Sequence, residues 1–389
     1  MKDIKHNPEK ICFIALGAYP LLAEKDPKNV IGPDVHQVIL AKELMKRDFK
    51  IVVITYNKGG KPVELIDGIE IINIGEDAHD LKMLNIVLKF FYIWCAMRKA
   101  DAPIYFRHGG GGGVVSLFCR INKKKFIYHI GSDGLVNRDL ITHKNREFSR
   151  SKFSLSFLTN WLDIKLADAV IVQTEYQDKM LKKNFGRDGV LIKKPFPLTE
   201  REMPKKTKLP IVLWVGSMAD VKQPELFIKL AEAIPDAQFQ MIGGNSGNHD
   251  LCSRIKESSK KISNFQHLGV VPFNEINDYF RQASILVNTS IFEAYPPYAA
   301  MQAWMNYTPV VSLGDNSDEI ICRYNMGFHS KTFEQMVRDI KTLLQDEALR
   351  EEMGANGRDY IEREHNFITI IGEYIELFDR IGKIFIDLH

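Results

Sequence analysis

The 389-residue sequence contains no CxxC pair, and its five cysteines, Cys12, Cys95, Cys119, Cys252 and Cys322, stand singly. That absence excludes a disulfide framework and a cysteine-based zinc site, and it points to a reducing, cytoplasmic setting. No uninterrupted apolar run approaches the roughly 20 residues that a membrane span requires. Of the two strongest, ICFIALGAYPLLA is broken by Gly and Pro, and NIVLKFFYIWCAM contains Lys89. No small-residue cleavage pattern follows the first, so it is expected to be a buried strand rather than a secretory leader. The second is expected to be a helix packed against the rest of the fold. Low-complexity tracts are also missing, and with 45% hydrophobic and 26% charged residues the chain has a globular composition. At this length two domains are expected.

A strong overall charge is lacking too, since the net is +3. Its distribution is uneven: residues 1 to 200 hold 32 Lys and Arg against 23 Asp and Glu, and the remainder 20 against 26. A basic first half suits an anionic partner, either a phosphate-bearing substrate or contact with an anionic membrane. The basic residues are dispersed and no recognised nucleic-acid motif accompanies them, so nucleic acid is not expected as a partner.

What the chain does contain is a recurring alternation. Short runs rich in Val and Ile, such as KICFIAL, FKIVVITY, APIYFRH, KKFIYHI and ADAVIVQT, are each followed by a longer amphipathic stretch. After the polar, proline-bounded REMPKKTKLP the pattern restarts with PIVLWVG, AQFQMIGG, FQHLGVV, ASILVNTS and TPVVSLG. Continuous apolar strands alternating with helices predict α/β domains, with parallel sheets covered by helices on both faces. The expected division is 1–195 and 196–369, with a helix over about 370–389 that could return to the first domain. In such sheets ligands bind beyond the carboxyl ends of the strands.

Five stretches fall at those ends. Gly32 in GPD lies in the loop between the first strand and its helix, where it permits close backbone approach; a plain turn is the alternative. RHGGGGGVV places Arg107 and His108 at a strand end before a glycine run that gives a bulky ligand room. YHIGSD offers His129, which reads equally as a hydrogen-bonded structural histidine, and Asp133, suited to accept sugar hydroxyls. WVGSMADVKQPE ends a strand at Gly216, continues through Ser217, and sets Lys222 just before Pro224 starts a helix, where a lysine can neutralise a diphosphate. EAYPPYAAMQAW puts Glu293 ahead of two prolines and a helix carrying Gln302. Either of these last two stretches also reads as an exposed lysine or a helix cap.

These residues, in this order, resemble the glycosyltransferase family 4 group of nucleotide-sugar enzymes, whose GT-B fold has two facing Rossmann-like domains. The stretches NTSIFEAYPPYAAMQAWMNYTPVVSLGDNSDEI, WVGSMADVKQPELFIKLAEAIPDAQFQMIGG and APIYFRHGGGGGVVSLFCRINKKKFIYHIGSD carry the resemblance. It implies a retaining transferase that moves a sugar from a nucleoside diphosphate sugar to a glycan or lipid-linked hydroxyl, without a metal ion or other cofactor. The donor would lie in the second domain: Glu293 on the transferred sugar, backbone at Ala294, Tyr295 and Pro296 beside sugar and phosphates, Gln302 on the ribose, backbone near Val270 on the base, and Lys222 on the leaving diphosphate. Arg107, His108 and Asp133 would face the acceptor, with His129 and Asp133 as further candidates for catalysis. Lys123, Lys124 and Lys125 could meet an anionic lipid, and the setting is cytoplasmic, with possible peripheral contact at the inner membrane face.

The sequence departs from the family pattern at three places. Gln302 stands where a second glutamate is usual, one residue late; Ser217 stands where an arginine is common, leaving Arg323 as a possible substitute; and the acceptor-domain histidine has no clean counterpart. With no base of suitable pKa visible, proton acceptance is assigned to the leaving phosphate. A sugar-nucleotide epimerase and a non-catalytic sugar-nucleotide-binding or scaffold protein are the competing readings. The first would act without an acceptor, and the second would bind without turnover.

Overall fold

A computed structural model of the chain describes residues 10–23, 32–57, 60–75, 84–110, 112–137, 139, 155–244, 249–272, 275–293, 295–314 and 316–386. The first sheet contains β1 (Lys10–Ile14), β2 (Lys50–Thr55), β3 (Val63–Ile66), β4 (Ile69–Asn73), β5 (Ile104–His108), β6 (Lys125–His129), β7 (Ala169–Val172) and β8 (Val190–Leu191). The second contains β9 (Ile211–Val215), β10 (Gln238–Ile242), β11 (Phe265–Gly269), β12 (Ile285–Asn288), β13 (Val310–Ser312) and β14 (Gly327–His329). Helices α1 (Tyr19–Leu22), α2 (Gly32–Met45), α3 (Leu84–Ala100), α4 (Val114–Ile121), α5 (Leu155–Leu166) and α6 (Glu175–Phe185) accompany the first sheet. Helices α7 (Pro224–Ala233), α8 (His249–Lys261), α9 (Ile276–Gln282), α10 (Tyr298–Met305), α11 (Ile320–Arg323), α12 (Phe333–Gln345) and α13 (Glu347–Glu364) accompany the second. The last helix among the described residues is α14 (Phe367–Ile386).

The strand orders are β3-β4-β2-β1-β5-β6-β7-β8 and β11-β10-β9-β12-β13-β14. Every pairing is parallel except that of β3 with β4. The parallel architecture follows from strands buried on both faces: all five residues of IYFRH and all four of AVIV are buried. Between β3 and β4, Asp67 and Gly68 both take positive φ, 47° and 82°. That is the geometry a two-residue hairpin turn needs, and Asp-Gly supplies it at little steric cost.

The chain divides into two units, with the break between Lys194 and Pro195 and the segment Ile368–His389 assigned to the first unit. In the first unit, one face of the sheet packs on α3, α4 and α5 through residues such as Ile93, Met97, Phe118 and Ile164. Against the other lies α14, whose Tyr374 and Phe378 rings meet Phe106 at centroid distances of 6.4 and 6.0 Å. In the second unit, Trp214, Phe227 and Phe239 centre one core, while Trp304, Tyr295 and Phe280 centre the other. Phe196 pairs with Asn366 in a single parallel bridge, so the two segments that connect with the first unit leave the second side by side.

Candidate functional site

In the second sheet β9 has β10 on one side and β12 on the other. The loops beyond the carboxyl ends of β9 and β12 therefore border the switch point, the usual ligand crevice of an open parallel sheet. After β9 the chain passes through half-buried Gly216 and Ser217 into a 3-10 turn, Asp220–Lys222. Gln223 then takes φ 48°, and α7 begins on Pro224, whose missing N–H costs nothing at a first helical position. Beyond β12, residues Thr289 to Pro297 lead into α10.

Polar groups clip these two loops together. Trp214 Nε1 donates to Thr289 Oγ1 at 2.9 Å, and that hydroxyl donates to the Lys222 carbonyl at 2.6 Å. The Ile291 amide donates to the Val221 carbonyl at 2.9 Å. Fixed in this way, the Lys222 ammonium forms an ion pair with Glu293 Oε1, and Ser290 Oγ donates to the same oxygen at 2.6 Å. The side chains of Lys222 and Glu293 are 23% and 13% exposed, so the pair is shielded but still reachable from solvent. Among the described residues no donor occupies Glu293 Oε2. Alongside, Gly243 at the end of β10 comes so close to Gly216 that a Cβ there would lie 1.8 Å from the Gly216 carbonyl oxygen. Only glycine allows the two loops to approach like this.

The remaining donor-side candidates fall around this crevice. Gln302 is half-buried in α10, and among the described residues no hydrogen bond joins its side chain to the Lys222–Glu293 pair. Val270 is exposed just past β11. Tyr295 is buried, with a cis peptide to Pro296, while Ala294 lies outside the described residues. Arg323 is exposed on α11, its guanidinium 6.0 Å from the Tyr324 ring. Ser290, Thr289 and Gly243 were not singled out in the sequence, although NTS directly after an apolar run and a Gly-Gly strand end were visible signals.

The first sheet has its own switch, since β1 lies between β2 and β5. Here the structure revises several expectations. Gly32 is the first residue of α2 rather than part of the preceding loop, and it belongs to the first unit. Asp133 is buried and accepts from Gln177 Nε2 at 2.9 Å, so its carboxylate ties a 3-10 turn to α6 instead of standing open to sugar hydroxyls. Arg107 is also buried, and its Nε and Nη2 donate to the Gly110 carbonyl at 3.1 and 2.7 Å, folding the glycine run back on the strand end. Burial lowers its pKa, opposed by Asp163 and more weakly by other groups. Lys124 and Lys125 pair with Asp101 and Asp168, leaving Lys123 as the exposed member of the three.

The structure brings His108 and His129 together with a residue the sequence reading passed over, His36 of α2. Their rings pack at 3.9 to 4.8 Å, and His36 Nδ1 lies 2.9 Å from His108 Nδ1. From α14, the Tyr374 hydroxyl meets His36 Nε2 at 3.1 Å, and His129 Nδ1 meets the Ile130 carbonyl at 3.2 Å. Among the described residues, Nε2 of His108 and Nε2 of His129 are buried without a hydrogen-bond partner. Burial pushes the His36 pKa down to about 3 and those of His108 and His129 well below the ordinary range, with nearby Lys194 adding to each shift. By distance the three rings could hold a metal ion. Among the described residues no carboxylate joins them, however, and the Lys194 charge opposes a second cation.

Asp34 was likewise missed. Its carboxyl sits where a Cβ on Gly17 would lie 2.4 Å from Oδ2, so glycine at 17 makes room for it. Burial raises its pKa to about 6, against the Gly17 amide and Arg107, which favour the ionised form. A carboxyl that exchanges its proton near neutrality at a strand-end switch is a candidate acid or base.

Residues 196–360 match the family model described as glycosyl transferases group 1. No curated protein sequence matches the chain. Among solved structures, sucrose-phosphate synthase from Thermosynechococcus elongatus superposes with a TM-score of 0.82 at 16% identity, over 97% of this chain and 100% of that one. HepE from Anabaena, solved with UDP and glucose, gives 0.69 at 14% identity over 96% and 100%. WaaG, a glycosyltransferase involved in lipopolysaccharide biosynthesis, gives 0.70 at 12% identity over 95% and 98%. At these identities the likeness is one of fold, and the fold is GT-B.

Proposed function

We propose that the protein is a retaining glycosyltransferase using a nucleoside diphosphate sugar, a reading supported by the match of residues 196–360 to the model of group 1 glycosyl transferases and by the GT-B fold. The observation that carries this reading is the Lys222–Glu293 pair, anchored by Ser290 and Thr289 at the switch point of the second sheet. An incoming diphosphate offers the Lys222 ammonium more negative charge than one carboxylate does, and the loop amides before α10 add donors. Once Lys222 turns to phosphate, both oxygens of Glu293 are available for sugar hydroxyls, and Ser290 keeps the carboxylate in place. Charge developing on the departing diphosphate is met by groups already in position, which lowers the barrier more than it tightens ground-state binding.

On this reading the first unit receives a glycan or lipid-linked acceptor, and the leaving phosphate accepts the acceptor proton. Asp34, its pKa raised by burial to about 6, is the alternative acceptor for that one proton in the first unit. No metal ion is required, because Lys222 and the loop amides carry the compensating charge. The UDP and UDP-glucose bound to HepE make a uridine diphosphate sugar the first donor to try.

Calorimetry of the purified chain with UDP, GDP, ADP and their common sugar conjugates, with chelator present, tests the donor site. One nucleotide is expected to bind, and Lys222→Ala to weaken it about 10-fold to 100-fold, as expected for a lost hydrogen-bonded charge contact. Turnover is then followed by nucleotide release with candidate acceptors, and the anomeric configuration of the product by NMR. Binding that persists without turnover across acceptors would favour the non-catalytic reading, and binding to none of the nucleotides would remove the donor site altogether.

A further inference from the structure

Among the described residues fifteen large apolar side chains are exposed, and eight of them lie on just three helices of the first unit, α3, α4 and α5. These helices are neighbours, with α4 packed against both α3 and α5, and Trp94 of α3 meets Phe118 of α4 edge-on at 5.0 Å. Along α3 the residues Ile93, Met97 and Ala100 face the core. Leu88, Phe91 and Tyr92 occupy the opposite side, Phe91 with 60% of its surface open, and that stripe continues through Arg98 and Lys99. Helix α4 adds Leu117 and Ile121, and α5 adds Leu158 and Trp161, spaced so that each pair shares one helix face. A concentration of this kind exceeds the singly scattered apolar residues normal on a protein surface.

Charge identifies what would cover it. The three helices hold five Lys and Arg, and their one acid, Asp163, is buried against Ser116 and the Gly113 amide. Arg98, Lys99 and Arg120 are exposed beside the apolar residues, with exposed Lys123 in the turn that follows α4. A second copy of the chain docked through this face about a two-fold axis would set these cations against one another. An anionic bilayer would pair with them, while the aromatic and aliphatic side chains enter the headgroup boundary.

The patch also adjoins the strand-end region of the first sheet. Phe90 of α3 stands 3.1 Å from where a Cβ on Gly112 would be, and Thr159 of α5 stands 3.4 Å from the same point on Gly113. The glycine run beyond His108 thus lies between the two helices.

We propose that the first unit docks on an anionic bilayer through the outer faces of α3, α4 and α5. The binding is peripheral, since no helix of the described residues is long and apolar enough to cross a membrane. This inference stands apart from the transferase reading, because docking needs no donor nucleotide.

The test is flotation of the full chain with vesicles of phosphatidylcholine alone and of phosphatidylcholine mixed with phosphatidylglycerol, at low and high salt. The chain is expected to float with the anionic vesicles and to be released by salt. Arg98→Gln with Lys99→Gln should lower partitioning about 25-fold, at roughly fivefold per cation. Phe91→Ser with Trp161→Ser should lower it on anionic vesicles without changing the salt dependence. Circular dichroism and thermal unfolding confirm that each variant is folded. Failure of the wild type to float, equal partitioning onto neutral vesicles, or flotation unchanged in both folded variants would overturn the proposal. So would a dimer in sedimentation velocity that the Phe91 and Trp161 substitutions dissociate, since the face would then belong to a second copy.

Discussion

Lowering the pH from 7 to 5 should loosen the first unit through its histidines. The His36 ring is inaccessible and its pKa is depressed to about 3, mainly by burial. In the unfolded chain the same ring titrates near 6.5. A group whose folded pKa lies below its unfolded value stabilises the fold above the unfolded value, and that contribution is lost as the pH falls. Between pH 7 and pH 5 the unfolded ring takes up about three-quarters of a proton and the folded ring almost none, which costs about 2 kcal/mol. His108 and His129 shift in the same direction, again chiefly through burial. Asp34 acts the other way: with its pKa raised to about 6, it offsets about 1 kcal/mol over the same interval. The decisive comparison is therefore between the wild type and His36→Gln, which removes one titrating ring and leaves Asp34 in place. Oxidation of buried Met97 by peroxide against urea reports the first unit, and buried Met241 serves as reference in the second. The loss of stability from pH 7 to pH 5 should be about 2 kcal/mol smaller in the variant. Equal losses in the two proteins would refute the argument that the ring is held neutral by desolvation.

Other consequences follow from the second unit. Glu293→Ala should abolish most sugar transfer while unfolding stays close to wild type, since the side chain's described contacts are Lys222 and Ser290; full activity in the purified variant would sink its assignment. Thr289→Val leaves the Trp214 N–H and the Lys222 carbonyl without their shared partner, so a loss of about 1 to 3 kcal/mol in urea unfolding is expected, together with weaker nucleotide binding. Gly357→Ala would bring a Cβ to 2.4 Å from the ring atom Cδ1 of Trp304, and a fall of about 1 to 3 kcal/mol is expected where the helices α10 and α13 meet, measured by urea titration.

The strands that were legible in the sequence are those that bury both faces, because an unbroken Val and Ile run bounded by turn residues has few other uses. KICFIAL, FKIVVITY and PIVLWVG became β1, β2 and β9. The β3–β4 hairpin was overlooked although its Asp-Gly turn was in plain view, because β3 is only half-buried and its pattern weak. At the site, Lys222 and Glu293 were legible because each sits at the end of a readable strand. Of their supports, Thr289 acts through contacts between segments some seventy residues apart in sequence, and Ser290 reaches Glu293 across a loop with no regular spacing to read. The histidine trio is harder still to read: its members come from α2, β5 and β6, and Tyr374 reaches them from α14, 338 residues beyond His36. No local pattern reports such a convergence, and a lone histidine in an apolar run reads equally as a core residue.

The course of the chain also sets an order of synthesis. The main span of the second unit runs from Pro195 to Phe367, whereas the first takes in β1 before that span and α14 after it. At roughly 5 to 20 residues per second, the first sheet emerges from the ribosome many seconds before the helix that seats Tyr374 and Phe378 on it. Until then His36 lacks its hydroxyl partner and Phe106 its aromatic cover. The unit made first is thus the last to be finished, and a nonsense or frameshift change in the codons of α14 would strike the N-terminal site while leaving the sequence of the C-terminal one intact.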